Sequence, residues 1–511
     1  MKVQLLRCAR RSLRLALTFG FAVTGHIAAA ASAASGSVPN SFFPEDHRTL
    51  ARTIAFPEME AFLKAVDGKG RIRVSVEGAS AAGRPLYLVH MSRSSSPQWS
   101  VLFYAQQHGN EVSGKDALLY LIRDIAREPR ALPRDVDLWV MPMVNPDGAE
   151  ADTRVNTAGA DLNRDHMTLE QPETRALYRV VQRVRPHLAV DCHEFTRDSE
   201  ERRARGWIAW PEITMDGLNN PLFDPGVIAA AERWVEEAAG AEAKAGHTFL
   251  RYSVGGLPPD DEQRHSAPDL DGGLNGVGAY GGLSFIIEAA VRRSIADASS
   301  DLGKRVDAYL VLLRRFIDGD GRRRDDLAAI EQGRRTPLPA FLPTNYFWAN
   351  PDGTLTRFPV LDLATGRTVL IPTANMMTKL VIKRSVPTPL GYAVGPGAAA
   401  QFRELLERHA VPCETLTVPR LVTAEACTLL RVEEQFDEVY SRYEGRQIVQ
   451  RNPAGEKELP AGSLWVALEG EAAVRASLLL EPAAMYGLYQ YPRWRALVAR
   501  DGAVPVLRVV R

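Results

Sequence analysis

Nearly continuous apolar runs alternate with amphipathic segments in the first 300 residues, and this alternation restricts the fold more than any other feature. Strands are predicted over Arg71–Gly78, Pro85–Ser92, Trp99–Gln106, Val136–Met143, His187–Cys192 and Leu283–Ala289. Helices are predicted over Val112–Arg127, Pro172–Val184 and Val227–Ala245. An uninterrupted apolar run is typical of a strand buried on both faces. The sequence therefore predicts an α/β fold, a mostly parallel mixed sheet flanked by helices.

The pattern changes after Asp318. Charged residues, glycine and proline concentrate between residues 320 and 340, which indicates a domain boundary. Beyond it lie short strand-like pieces and one clear helix, predicted over Ala398–His409. We therefore predict a principal domain over residues 45–320 and a smaller mixed α/β accessory domain, of unassigned role, over residues 335–511.

The N-terminus predicts a signal peptide over residues 1–34. A basic head precedes the apolar run Leu15–Val23, which is shorter than the ~20 residues that a membrane-spanning helix needs. Small residues follow, and Ala31-Ser32-Ala33 offers a cleavage site. Cys8 lies before the apolar run and is not placed for lipid attachment. We expect an exported protein, periplasmic or secreted, with no membrane span in the mature chain.

Charge and cysteine content narrow the range of partners. Lys plus Arg and Asp plus Glu both number 62, and this balance argues against nucleic acid or a membrane surface as partner.

Removal of the signal leaves Cys192, Cys413 and Cys427, too few for a disulfide scaffold. Whether Cys413 and Cys427 form a disulfide is left open.

Metal-ligating side chains follow the predicted strands. His108 and Glu111 come after one buried strand, His193 comes after another, and Glu288 ends a third. Ligands of open α/β sheets bind beyond the carboxyl ends of the strands. Two histidines and a glutamate leave a fourth zinc position open to water, and a water held there ionises near neutral pH. We predict one Zn²⁺ per chain.

Five motifs occur in a characteristic order: "HGNE", "VNPDG", "RVNTAGADLNRD", "DCHEF" and "SFIIEA". Together they resemble the zinc carboxypeptidases related to carboxypeptidase A, and the resemblance covers residues 45–320. It implies that this part is the catalytic domain and that His108, Glu111 and His193 bind the metal. It further implies that Asp161 accepts the other ring N–H of His108 and so fixes its tautomer.

The resemblance also implies a substrate site. Asn163 and Arg164 would hold the terminal carboxylate of a peptide, a task that suits the guanidinium group. Arg154 would polarise the scissile carbonyl and stabilise the developing oxyanion. Glu288 would take a proton from the attacking water and hand it to the leaving amine. Tyr280, the nearest tyrosine before Glu288, is a candidate substrate-binding residue.

Other polar residues carry weaker signals. Asn145 begins "NPDG", a turn sequence that recurs at Asn350–Gly353, so contact with the site is not required. A place for His166 at the rim of the site is left open. His187 begins a predicted strand and is interpreted as structural. Glu194 neighbours His193 in a strand and is expected to point away from it.

The pattern departs from the digestive members of the family at Asn110, where they carry an arginine, and in the run "NRD". The substrate's shape therefore stays open. We expect a zinc metallocarboxypeptidase that acts on peptides with a free C-terminal carboxylate. The alternatives are a cell-wall (murein) peptide carboxypeptidase and an amidohydrolase of small N-acyl amino acids. A non-enzymatic binder of peptide ends is disfavoured, because such a protein has no use for the base Glu288.

Overall fold

The computed structural model describes residues 42–292, 301–437 and 442–510, and the predicted signal peptide lies outside them. Within the described chain, no helix combines the length and the apolar character needed to cross a bilayer. The first eleven strands are β1 (Ile72–Ala79), β2 (Pro85–Ser92), β3 (Trp99–Ala105), β4 (Val136–Met141), β5 (Leu188–Thr196), β6 (Trp207–Ala209), β7 (Ile213–Gly217), β8 (Phe249–Arg251), β9 (Val254–Gly255), β10 (Gln263–Arg264) and β11 (Leu283–Val291). The helices are α1 (Phe56–Val66), α2 (Ser113–Arg127), α3 (Pro146–Ala151), α4 (Pro172–Val184), α5 (Glu200–Ala204), α6 (Pro225–Ala245), α7 (Gly273–Gly278), α8 (Leu302–Asp318), α9 (Arg323–Arg335), α10 (Pro396–Arg408), α11 (Ala472–Leu480) and α12 (Pro492–Arg495).

The centre of the fold is a mixed sheet of eight strands in the order β1-β2-β4-β3-β5-β11-β7-β8. Its four central strands, β4, β3, β5 and β11, run parallel. Antiparallel pairs lie to either side, at β1–β2, β2–β4 and β11–β7. The predicted mixed α/β architecture is confirmed.

Strand β3 shows why the apolar runs are continuous. Val101 and Phe103 belong to a core that includes residues of α2, α6 and α8, whereas Leu102 and Tyr104 belong to a second core with residues of α4. All four side chains are completely buried. Successive side chains of a strand point to opposite faces, and both faces of this sheet are covered by helices.

Two strands extend beyond their predicted ends, and the extension matters for the site. Strand β5 continues through Thr196 instead of ending at Cys192, because its last residues pair with β11 as far as Val291. His193 therefore lies inside a paired strand and not in the loop that follows it. Glu288, predicted to end its strand, is followed by three further paired residues. The predicted turn at "NPDG" is the start of α3, where Asn145 caps the helix by accepting a hydrogen bond from the Gly148 N–H.

The part of the chain after residue 340 contains the remaining strands. They are β12 (Phe341–Ala349), β13 (Thr356–Asp362), β14 (Thr368–Thr373), β15 (Met376–Met377), β16 (Lys379–Pro387), β17 (Gly391–Val394), β18 (Glu414–Thr415), β19 (Arg420–Glu425), β20 (Cys427–Asp437), β21 (Arg442–Arg451), β22 (Gly455–Leu459), β23 (Leu464–Ala467) and β24 (Val506–Val509). Six of them form a sheet in the order β18-β23-β17-β24-β19-β22. Cys413 and Cys427 are free thiols.

The two parts of the chain share backbone pairing. Strand β13 adds to β6 in an antiparallel pair, and β15 adds to β10 in a parallel pair. The segment predicted to be a boundary contains helix α9, which packs against α6. The described residues, from position 42 onward, form one compact unit. A functional division at residues 320–335 stays a prediction.

Candidate metal centre and active site

Three metal-ligating side chains meet at the end of β3 and inside β5. The ring nitrogen Nδ1 of His108 lies 2.8 Å from Glu111 Oε1, and Nδ1 of His193 lies 2.8 Å from Glu111 Oε2. The two Nδ1 atoms are 3.1 Å apart. All three side chains are buried. In the described parts of the chain, these residues are the one group of three or more His, Cys, Asp or Glu side chains whose ligand atoms lie close enough together to hold a metal ion.

The donor set suits zinc. Two imidazole nitrogens and one carboxylate are the protein ligands of many catalytic zinc sites, and they leave a position for water or substrate. Burial alone would raise the pKa of Glu111, but the neighbouring His108 and His193 hold it below its usual value. The carboxylate is therefore ionised, as a ligand must be.

The second ring nitrogen of each histidine is held by an aspartate. Nε2 of His108 lies 3.1 Å from Asp161 Oδ1, and Nε2 of His193 lies 3.0 Å from Asp191 Oδ2. Such partners orient a ligating imidazole and fix its tautomer. The sequence did not point to Asp191 as a functional residue. Its signal was its place two residues before His193, because residues i and i+2 of a strand share a face.

Asp191 belongs to a buried hydrogen-bonded chain. Its Oδ2 accepts a bond of 2.7 Å from the side-chain amide of Gln107, whose Oε1 lies 2.7 Å from His166 Nε2. The Tyr178 hydroxyl lies 3.1 Å from His166 Nδ1. Burial lowers the pKa of His166 to about 4, so its ring is neutral. It donates to Gln107 through Nε2 and accepts from Tyr178 through Nδ1. His166 therefore supports the site from behind and does not line its rim.

Arg154 faces the cluster from the segment before the "DLNR" motif. Its Nε donates to Asp161 Oδ2 at 2.9 Å, and its NH1 lies 3.5 Å from Glu111 Oε1. The same NH1 is 3.2 Å from Nδ1 of His108. The guanidinium charge therefore lies beside the predicted metal position.

Glu288 lies beside the cluster on β11. It is the direct register partner of His193 across the parallel β5–β11 pair, so the two side chains project from the same face of the sheet. Burial raises the pKa of Glu288 to about 7, with further repulsion from Glu111 and Asp191 that His193 and Arg154 partly offset. A carboxyl group with a pKa near neutrality can both accept and donate a proton at physiological pH.

The predicted substrate residues Asn163 and Arg164 stand on a short 3-10 turn, Leu162–Arg164. Asn163 is buried: its Oδ1 accepts the Gly273 N–H at 2.8 Å, and its Nδ2 lies 3.3 Å from His193 Nε2. Arg164 is partly exposed, with 29% of its side chain accessible, and its Nε lies 3.7 Å from Asp271 Oδ2. The geometry makes Arg164 the member of the pair that a ligand can reach.

Gly273, at the start of α7, is required by close packing. A β-carbon added there would lie 2.3 Å from Asp191 Oδ2 and 2.6 Å from the Tyr104 hydroxyl. The absence of a side chain lets α7 approach the site closely enough for its backbone N–H to bond Asn163.

Tyr280 is not brought to the metal cluster. Its hydroxyl lies 3.2 Å from the carbonyl of His409 and 3.3 Å from the Gln182 amide, and the Arg475 guanidinium stacks on its ring at 4.5 Å. These are contacts at the junction with the C-terminal part. Tyr280 was a candidate substrate-binding residue because it is the nearest tyrosine before Glu288. Its contacts in the structure are with structural partners instead.

The residues given weaker weight have structural contacts. Asn145 donates from Nδ2 to the Gln107 carbonyl at 3.0 Å and so braces the segment before His108. His187 accepts the Ser100 N–H through Nδ1 at 3.0 Å. Glu194 points away from the metal cluster, as expected, and forms a buried ion pair with Arg305.

The profile of the family described as zinc carboxypeptidase matches residues 59–197, a span that contains all three clustered ligands. The chain carries a zinc carboxypeptidase domain. The expected resemblance is thereby confirmed, and the family together with the cluster supports Zn²⁺ as the cofactor and a hydrolase of the metallocarboxypeptidase type.

Relatives of this zinc carboxypeptidase domain extend the comparison. The chain is similar to carboxypeptidase 2 of Trichophyton tonsurans, with 26% identity over 436 residues, 79% of this chain and 77% of the relative. Carboxypeptidase D of Mus musculus is 31% identical over 133 residues, 22% of this chain and 10% of the relative. Among solved structures, a metallo-carboxypeptidase from Pseudomonas aeruginosa is 26% identical with a TM-score of 0.39, over 51% of this chain and 69% of that one.

Proposed function

We propose that the protein is an exported zinc carboxypeptidase that hydrolyses the last peptide bond of peptides with a free C-terminal carboxylate, with Glu288 as general base. The observation that carries the proposal is the register pairing of Glu288 with His193. This pairing supports a role for Glu288 as a carboxylate that is not itself a ligand but stands beside the three proposed ligands. A protein that only bound peptide ends would have no use for such a group.

Zinc at this cluster would lower the pKa of a water and polarise the substrate carbonyl. Glu288 removes the proton from the attacking water and then delivers it to the leaving amine. Arg154 stands next to Glu111 and lies where negative charge grows on the carbonyl oxygen, which it stabilises. Asp161 and Asp191 keep both imidazoles in the tautomer that leaves Nδ1 free for the metal.

Arg164 is the residue proposed to make the enzyme specific for the C-terminal end of a peptide. Its guanidinium is partly open, and it stands on the turn that Asn163 anchors to α7. Arginine binds carboxylates through two parallel hydrogen bonds. Asn163 fixes this turn, because its Oδ1 accepts the N–H of Gly273 at the start of α7.

The test uses matched peptides with free and amidated C-termini, with and without a zinc chelator. We expect hydrolysis of the free peptide alone, and its loss with the chelator. Equal cleavage of both peptides would refute the reaction in favour of an endopeptidase. N-acyl amino acids and isolated murein peptides complete the panel, and exclusive cleavage of either would assign the chain to that alternative.

Export is tested by fractionation of cells that express the full chain. The predicted signal requires recovery outside the cytoplasm of a chain shortened by about 34 residues. Recovery of the full-length chain in the cytoplasm would refute this part of the proposal.

A further inference from the structure

The turn His166–Glu170 begins two residues after Arg164, and the intervening Asp165 holds it tightly. The carboxylate of Asp165 accepts the backbone N–H of Glu170 at 2.7 Å and that of Gln171 at 2.8 Å. Leu169 adopts a φ of 50°, a left-handed conformation that is unfavourable for a residue with a β-carbon. Such a conformation persists where the surrounding structure holds it in place.

The C-terminal part of the chain holds the same turn from outside. His409, which follows α10, has its Nε2 3.0 Å from the carbonyl of Met167. Arg408 donates from NH1 to the carbonyl of Thr168 at 3.3 Å. Two consecutive residues of one region thus bond two consecutive carbonyls of the other.

A third contact lies at the end of the turn. Arg493, in α12, donates from NH1 to Glu170 Oε1 at 3.2 Å. This ion pair is half exposed, and exposed ion pairs contribute little to stability. The buried bond made by His409 is therefore the stronger constraint.

His409 has one available donor, and it is directed at the turn. The side chain is only 3% exposed, and burial lowers its pKa to about 3, so the ring is neutral. A carbonyl oxygen can only accept, which places the ring proton on Nε2. The Tyr280 hydroxyl lies 3.4 Å from Nδ1.

His409 also contacts the chain of residues that leads to the metal. Its ring packs edge-on against Tyr178, with the ring centroids 5.6 Å apart. The Tyr178 hydroxyl bonds His166, which bonds Gln107 and through it Asp191. The C-terminal part therefore contacts both the His166–Glu170 turn and the hydrogen-bonded chain that supports His193.

We propose that the region from residue 341 to the C-terminus contributes to the substrate site. In this proposal His409 is a positioning residue: it fixes the His166–Glu170 turn and thereby the position of Arg164. The inference rests on the proposed function for its kinetic consequence. It assigns a role to the region that the sequence left as an accessory domain. His409 acts through the turn and does not touch the substrate.

The test compares three variants of the full chain, His409→Leu, His409→Gln and Glu471→Ala. Leucine removes the donor and leaves a buried carbonyl unpaired, whereas glutamine keeps an N–H. Glu471 is the matched control: it pairs with Arg185 across the same two regions, but both side chains are about half exposed. KM and kcat are measured on a free-ended peptide, and hydrogen exchange is measured in the segment 162–171.

We expect His409→Leu to raise KM about 5- to 20-fold while kcat changes by less than about 3-fold. Exchange in the segment 162–171 should accelerate in this variant only. His409→Gln and Glu471→Ala should stay within about 2-fold of the wild type in KM. If His409→Leu does not fold, Arg408→Met removes the neighbouring donor and should raise KM about 2- to 5-fold.

A folded His409→Leu variant with normal KM and normal exchange would overturn the proposal, and so would a KM increase of the same size in Glu471→Ala. The exchange measurement needs no catalysis. If the wild type cleaves no free-ended peptide, the proposed function fails, while faster exchange in His409→Leu alone would still support the positioning role of His409.

Discussion

Replacement of Glu288 by glutamine should lower the rate of catalysis and raise the stability of the metal-free protein at high pH. The variant keeps the size of the side chain and one oxygen, but it cannot accept a proton at neutral pH. General-base assistance contributes about 10²–10⁴-fold to rate. We expect kcat on free-ended peptides to fall by at least about 100-fold, and KM to change little because Glu288 is not a residue assigned to ground-state binding.

The effect on stability follows from the raised pKa of Glu288. In the folded, metal-free protein this pKa is about 7, against an ordinary value of 4.5. The folded state therefore holds the proton more tightly than the unfolded state, and stability falls as the pH rises from about 4.5 to about 7. A difference of about 2.5 in pKa corresponds to at most about 3 kcal/mol. Since the side chain is only half-buried, solvent screening reduces this to about 1–2 kcal/mol.

Glutamine does not ionise, so the metal-free variant should be the more stable protein at pH 8 and equal to the wild type near pH 4.5. A domain of this size unfolds with an entropy of about 1 kcal/mol/K, so the expected rise in thermal midpoint at pH 8 is about 1–2 °C. The assays are steady-state kinetics, elemental zinc analysis and thermal unfolding after chelation. Near-normal turnover in a zinc-loaded variant would refute the role of Glu288. A midpoint at pH 8 below that of the wild type would refute the electrostatic argument.

The remaining predictions concern the metal, the substrate end and a buried carboxyl group. His108→Ala should abolish stoichiometric zinc binding, because a second water does not replace a lost ligand at equal strength; full occupancy by elemental analysis would contradict the assignment. Asp191→Asn should weaken zinc binding about 10- to 100-fold in a competition titration, and an unchanged affinity would remove Asp191 from the support of His193. Arg164→Ala should raise KM for free-ended peptides by about 10- to 100-fold, and C-terminal amidation should cost this variant little further; a wild-type ratio of rates on the two peptides would show that another residue reads the carboxylate. Glu242, fully buried with neither side-chain oxygen bonded to the described residues, has a pKa raised by burial, and further by Asp307 and Glu212, to about 9. Its contribution to stability is lost as the pH rises from about 4.5 to 9, so Glu242→Gln should raise the thermal midpoint at pH 8 and leave it unchanged at pH 4.5.

The sequence by itself predicted six of the eight strands of the main sheet, and it singled out the three residues of the candidate metal cluster. The apolar run of β3 is readable because a strand covered on both faces needs apolar side chains at every position. Helix α4 was predicted at its observed bounds, since local periodicity and a proline at its first turn are both properties of neighbouring residues. His108, Glu111 and His193 were recognisable for a similar reason: they occur in ordered motifs, and the cluster they form is the one found in the structure.

Only the tertiary structure showed which residues support the metal ligands and which lie beside them. Gln107 carries no motif of its own, and its hydrogen bond to Asp191 joins segments 84 positions apart in sequence. The position of Glu288 beside His193 depends on the register between β5 and β11, and a shift by one residue would turn its side chain to the other face. The sequence indicated a change of pattern after residue 318. It did not indicate that His409 would bond the carbonyl of Met167, because a contact across 242 positions is set by the packing of the two parts and not by the local sequence of either.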